Sequence, residues 1–487
     1  MNNYKKNLIF YPMGTIGRDM IYALFTNFTM TFILFTRNLT AAQLAAITAI
    51  MVAARVFDAL NDPIMGNIIE RTRTKFGKFK PWLFIGIIST SFVVYVLYNS
   101  KLDGWNFIIL FGIVYFLYSI TYTMHDISYW GMVPALSKDG NERNTLTSRA
   151  TLFAGIGGTL AGIMIPLLTA GDHAIGGNAR TAYGMVALII CLLSPFFAAF
   201  TLAFVKENRD DMQKEAPKVS LKKIVTTIGG NDQLVWIAII FLIQEIGNGI
   251  VLGGIGTNYV YFEFGYEGGL YSLFTTVGMA ATAVLMVLYP MLSRKFKRQT
   301  LVKDMGIIAT IGYVIMLAVG LLMPTSMVKF YILTAGFMLA NLGQYGLYLV
   351  MMISIINTVE YNELKHGTRD EAIITSMRPF LTKLSSSVTV IITTVTYLIC
   401  NVTLLSNQIS DYERKAEQGL INATDKSSLI AEVIKSAGSL QTKGLLLAMT
   451  VLPCAFMLVS VILYRKFYKI DEDYYDDICK QLEAKKN

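Results

Sequence analysis

The chain has 487 residues, 54% of them hydrophobic and only 15% charged, with a mean hydropathy of +0.50. Apolar side chains in that proportion exceed what a soluble core can hide, which excludes an ordinary water-soluble domain and leaves the surplus to face lipid. The formal charge of +9 is no sign of nucleic acid, because the basic residues gather in loops between apolar runs, as in RTRTKFGKFK (71–80) and SRKFKR (293–298).

Apolar runs near the ~20 residues that cross a bilayer predict twelve membrane spans, at about 8–36, 43–69, 82–99, 106–136, 149–170, 181–205, 233–262, 271–293, 300–322, 328–360, 372–402 and 444–464. The start, MNNYKKNLIFYPMG, has no small-residue cleavage site and reads as retained. The first span carries Gly14-Thr15-Ile16-Gly17-Arg18-Asp19, a cation and an anion side by side. In the second, Arg55, Asp58 and Asp62 fall at i, i+3 and i+7 on one helix face, with Asn61 flanking it. In the fourth, Thr123, Asp126 and Trp130 repeat that spacing, with Tyr122 and His125 beside them.

Gly158 and Gly162 form a small-xxx-small pair in the fifth span, a device for close helix packing. A polar stretch at 206–232 separates residues 1–205, a six-helix bundle, from residues 233–487, a second bundle with a cytoplasmic tail. Glu245, beside Gln244 and Asn248 in the seventh span, either lines a cavity or hydrogen-bonds a neighbouring helix. A second polar stretch, about 403–443, lies between the last two spans, and its DKSSLIAEVIKSA segment predicts an amphipathic helix on the membrane surface. Lysine and arginine placement puts both termini and the central loop in the cytoplasm. Cys191, Cys400, Cys454 and Cys479 show neither CxxC spacing nor a disulfide framework.

A carboxylate at bilayer depth costs at least ~2.5 kcal/mol, so Asp58 and Asp62 on one face call for a cation or a water-filled cavity. A small hard cation takes several oxygens, and the Asp58 and Asp62 carboxylates, the Asn61 amide and the Thr123 hydroxyl supply them, a set that suits sodium. A sugar takes planar acceptors for its hydroxyls and an aromatic face for its C–H surface, which Asp19, Asp126 and Trp130 offer. The residue types therefore point to a carrier that couples a cation to a carbohydrate, with no cofactor and no catalytic residues. An intramembrane aspartyl protease would also need two aspartates, but its YD and GxGD motifs do not surround these.

The strings GTIGRD, ARVFDALNDPIMGNIIERTRTKFGKFKPW, TYTMHDISYWGMVPAL and NTVEYNELKHGTRDEAIITSMRPFLTK resemble the glycoside-pentoside-hexuronide:cation symporters of the major facilitator superfamily, and the resemblance runs along essentially the whole chain. It implies an all-α membrane protein of two six-helix bundles in the cell membrane, importing a glycoside, pentoside or hexuronide with sodium by alternating access, proton or lithium being possible substitutes. It places Asp58, Asn61, Asp62 and Thr123 in the cation site and Arg18, Asp19, Tyr122, Asp126, Trp130 and Lys383 in the sugar site. It also matches Arg143, Glu360, Glu363 and Arg369 to a cytoplasmic gate of ion pairs. The pattern departs from the family at Arg18, which replaces a lysine, and at Thr151, which stands where a sugar-site arginine is expected, with Arg149 two residues earlier on another face. Arg378 replaces a glutamine and joins the substrate set, either receiving a uronate or balancing Asp19 and Asp126. The alternatives are a sodium-coupled lysolipid carrier, against which Asp126 and Trp130 speak, and a non-transporting sugar sensor.

Overall fold

The computed structural model describes residues 3–137, 139–207 and 221–486, whose regular structure is helical apart from one isolated bridge between Thr74 and Gly77. The helices are α1 (Asn3–Thr36), α2 (Ala41–Arg71), α3 (Lys80–Asn99), α4 (Gly104–Gly131), α5 (Val133–Leu136), α6 (Gly140–Thr169), α7 (Ala179–Phe204), α8 (Leu221–Gly230), α9 (Asp232–Ile250), α10 (Gly256–Phe264), α11 (Gly268–Lys295), α12 (Arg298–Leu322), α13 (Met327–His366), α14 (Glu371–Ile399), α15 (Val402–Glu417), α16 (Ala423–Lys435), α17 (Ser439–Phe467) and α18 (Glu472–Lys486). Among the described residues twelve spans are long and apolar enough to cross a membrane, α9 and α10 together making one, and each predicted run falls on one of them. Helices are what such runs must form, because lipid offers no partner to an unpaired backbone N–H or C=O. Their outer faces carry apolar side chains in the open, such as Phe92 (67% exposed), Val287 (78%) and Leu322 (82%). The fourth span stops at Gly131, short of the predicted 136, because Pro134 lacks an amide and its ring clashes with the helical carbonyl four residues back. In the central polar stretch, residues 208–220 lie outside the described part and Leu221–Gly230 form α8.

Packing divides the chain into two compact units. One comprises Met1–Ala216, Val260–Ser272 and Tyr397–Gly438; the other comprises Pro217–Tyr259, Leu273–Thr396 and Ser439–Asn487. In the first, α1 lies against α6 and α7, α2 against α4, and α3 against α4 and α7. Gly17 makes the α1–α7 contact possible, since a Cβ there would stand 2.5 Å from Ser194 Cα. Gly157 does the same for α6 against the Ile16 carbonyl of α1. At the predicted pair, Gly158 and Gly162, a Cβ would meet no atom of the described residues within 4 Å, so the close approach on this helix is made one residue away. Tyr11 and Tyr129 tie α1 to α4: each hydroxyl donates to the other's carbonyl, at 2.8 and 2.5 Å, and the rings stack at 4.4 Å. The second unit packs α12 against α13 and α17, and α9 against α13 and α17. Between α9 and α10 the helix is interrupted by a π-turn, Val251–Ile255, in which Gly254 takes φ 114° and ψ −21° and Asn258 Nδ2 returns to its carbonyl at 3.0 Å. A side chain at Gly254 would be strained by ~1–3 kcal/mol.

The stretch between the last two spans is a hairpin of α15 and α16 seated on the first unit. Asn407 pairs with both backbone groups of Leu39 (2.8 and 2.9 Å), and Asn38 donates to Asp411. The amphipathic face of α16, expected on the membrane surface, turns Lys426, Ile430 and Val433 into protein instead. Beneath it Glu413, fully buried, accepts the first amide of α7 (Ala179, 2.7 Å) and the Lys426 ammonium (3.3 Å), which also donates to the Gly177 carbonyl (2.8 Å). Burial pushes the Glu413 carboxyl up, opposed by Lys426 and the Ala179 amide. Lys426→Met is therefore expected to cost about 3–5 kcal/mol in thermal unfolding, while the double change Glu413→Gln with Lys426→Met costs much less. The single variant should regain stability as pH falls and Glu413 takes up a proton.

Candidate functional site

Two parallel rungs join α2 to α4. Asp58 and Asp62 are four residues apart on α2, Ser119 and Thr123 four apart on α4, and each spacing advances one helical turn, about 6 Å. The Ser119 hydroxyl donates to Asp58 and the Thr123 hydroxyl to Asp62 at 3.1 Å. Asn61, between the two acids in sequence, is buried, and its Nδ2 has no hydrogen-bond partner among the described residues. Pro63, inside α2, has no amide to offer the carbonyl of residue 59, so a backbone oxygen is also released on this turn. Arg55 Nη1 lies 4.0 Å from Asp58 Oδ2, with both side chains little exposed, at 12% and 13%. An internal cation thus partly compensates Asp58, and the turn gathers carboxylate, hydroxyl and amide oxygens of the kind that a monovalent hard cation takes.

The sugar-type residues are held by Arg18. Its Nε and Nη2 donate to Asp19 Oδ2 at 2.9 and 2.7 Å, and its Nη1 donates to Asp126 Oδ1 at 2.7 Å. The guanidinium centre stands 5.0 Å over the Trp130 ring and 5.6 Å over Tyr129, so one cation spans both carboxylates and covers the indole. Asp126 is still 39% exposed, which keeps it within reach of water or a solute. Tyr122 stacks with Tyr118 at 5.3 Å and meets Tyr22 at 5.5 Å. His125 beside it is buried, and neither ring nitrogen has a hydrogen-bond partner among the described residues. Arg149 is exposed and donates to the Leu8 carbonyl at 3.4 Å, with no bond to the Arg18 cluster among the described residues.

In the second unit, Lys383 is half-buried on α14, and Arg378 on the same helix donates to the Tyr348 hydroxyl at 3.3 Å and lies 3.5 Å from Met352 Sδ. Arg369 ties Glu360 (2.7 Å), Glu363 (3.0 Å) and Glu371 (3.1 Å) together at the end of α13 and the start of α14. The contacts of Arg369 raise the proton affinity of an already permanent cation, its hydrogen bond with Glu371 leading. Arg143 belongs to the first unit, where its Nε donates to the Ser137 carbonyl at 2.7 Å. Sequence reasoning brought Asp58, Asn61, Asp62 and Thr123 to one place but missed Ser119. The signal was there to find, since Ser119 precedes Thr123 by the same four residues that separate the aspartates.

A family model described as MFS/sugar transport protein matches residues 10–472. The chain belongs to that family. It is 28% identical to the lactose permease of Leuconostoc lactis over 403 residues, which cover 78% of this chain and 60% of that protein. It is 28% identical to the lactose permease of Lactobacillus delbrueckii subsp. bulgaricus, over 97% of this chain and 72% of that one, and 25% identical to the raffinose carrier protein of Pediococcus pentosaceus, over 99% and 72%. The chain therefore spans only about three fifths to three quarters of the length of these relatives. Among solved structures, a D-xylose-proton symporter superposes with a TM-score of 0.61 at 12% identity, covering 95% of this chain and 98% of that one. At that identity the likeness establishes the major facilitator fold alone. Twelve spans among the described residues and this membership make the chain a multi-pass membrane protein of a transport family.

Proposed function

We propose that this protein is a sodium-coupled symporter that brings a neutral glycoside of the lactose or raffinose type into the cell by alternating access, with both termini cytoplasmic. The observation that carries the reading is the paired rung of Asp58 with Ser119 and Asp62 with Thr123, an oxygen-lined anionic site inside membrane-spanning helices. Relatives named as lactose permeases, a raffinose carrier and a putative glycoside/cation symporter support the sugar and the coupling.

Without an ion, closing the site would desolvate two carboxylates at several kcal/mol each, and Arg55 relieves only part of that. Cation binding then favours the states that hold sugar, and by linkage sugar tightens the cation by the same factor. At the neighbouring cluster the sugar hydroxyls exchange with the guanidinium donors on Asp19 and Asp126, and the ring takes the Trp130 face. The test is uptake of labelled lactose and raffinose into vesicles carrying the purified protein. Accumulation is expected with an inward sodium gradient and not with sodium equal on both sides. Accumulation that ignores both sodium and proton gradients would refute the coupling, and absence of exchange for every neutral glycoside tried would refute the substrate class.

A further inference from the structure

Glu245 is a carboxylate inside a membrane-spanning helix that neither the cation site nor the Arg18 cluster uses. It accepts from Asn248 Nδ2, one turn along α9, at 3.5 Å, long for a bond to a charged acceptor. Gln244 beside it is what a purely structural polar group looks like on this helix: fully buried, with its amide spent on the Gln344 carbonyl (3.1 Å) and side-chain oxygen (3.2 Å). Glu245 is instead only partly buried. Phe241, one turn before it on α9, meets the Tyr348 ring at 5.8 Å, and Arg378, on α14 of the same unit, reaches the hydroxyl of that tyrosine, while no ion pair within 4.0 Å joins Glu245 to Arg378 among the described residues. The guanidinium is exposed, and the phenol and the thioether it meets both sit at Nη1, one of its three nitrogens. The phenol, Tyr348, stacks with Tyr345 at 5.7 Å. An acceptor, a donor fork and an aromatic surface therefore recur in the second unit, the same three chemistries as Asp126, Arg18 and Trp130 in the first.

We propose that Glu245 and Arg378 form an acceptor–donor couple that reads a diol of the sugar, and that Glu245, as the fixed counter-charge of Arg378, makes this cluster select neutral glycosides over hexuronides. This rests on the sugar-carrier reading above. A guanidinium alone is a strong bidentate receptor for a carboxylate and would recruit the C6 carboxylate of a uronide. With a carboxylate already beside it, a uronide brings like charge into a low-dielectric site, whereas a neutral diol donates to Glu245 and accepts from Arg378 at once.

The test is competition by methyl β-galactoside and methyl β-galacturonide against labelled lactose uptake in vesicles. The wild type is expected to prefer the galactoside. Glu245→Gln should raise the relative potency of the galacturonide roughly tenfold or more, and adding Arg378→Gln should cancel the gain. Glu245→Gln protein that takes up lactose with an unchanged preference overturns the proposal. If that variant does not reach the membrane, Arg378→Gln is measured alone: a several-fold weaker galactoside supports the couple, and unchanged competition overturns it. A wild type that takes up neither lactose nor raffinose overturns the carrier reading itself, a result distinct from carriage without charge selection.

Discussion

Asp58→Asn and Asp62→Asn, made singly, are expected to abolish sodium-driven accumulation of sugar. Each removes one of the two formal charges that would face the ion. At an effective dielectric constant of 20, a charge about 4 Å away contributes about 4 kcal/mol, so sodium affinity should fall on the order of 100-fold or more. Ser119→Ala removes only a neutral hydroxyl and should cost several-fold. Sodium titration of sugar uptake, alongside thermal unfolding in detergent, separates loss of the ion from loss of the fold. Asp58→Asn carries a second effect, because Arg55 then loses the carboxylate at 4.0 Å. Equal sodium dependence in wild type and both asparagine variants would remove the basis of the coupling.

Arg18→Met is the second large effect. It strands Asp19 and Asp126 without the cation that bridges them at 2.7 Å each. Breaking a buried ion pair from one side costs about 3–5 kcal/mol, and the 39% exposure of Asp126 moves the expectation to the lower end, about 3 kcal/mol. Sugar affinity should also fall, because the repulsion between the two acceptors and the water they draw in outweigh the removal of Arg18 as a competitor for them. Arg18→Lys keeps the charge but not the planar fork or its stacking over Trp130, so it should retain the fold and lose part of the affinity. Unfolding temperatures and sugar-induced stabilisation of the three proteins check this.

The spans and the charge-bearing faces were legible because lipid punishes both exposed backbone and unpaired charge, leaving runs of about twenty apolar residues with rare acids at helical spacing. Register arithmetic brought Asp58 and Asp62 to the face that Thr123 meets. What it did not reveal was which neighbour answers each group. Arg18 looked like one member of a sugar set, yet its length and planarity let it hold Asp19 and also reach Asp126 on another helix, 108 positions from Arg18 itself. Gly157 rather than Gly158 carries the close helix contact, because a packing face depends on how the helix is turned and a GxxxG string does not record that turn. The α15–α16 hairpin looked like a surface-seeking helix because its apolar stripe is the same whether lipid or protein covers it. The buried Lys426 in that stripe is satisfied by Glu413 and Gly177, which no local pattern brings to it.

The guanidinium over Trp130 is a competitor that never diffuses away. Any solute that wins Asp19 and Asp126 must displace a rival whose effective concentration is fixed by its tether to α1, and that rival returns as soon as the solute loosens. If sugar binds here as proposed, this resting geometry favours moderate affinity and rapid unloading on the far side, as a vehicle that must let go of its freight on every cycle requires.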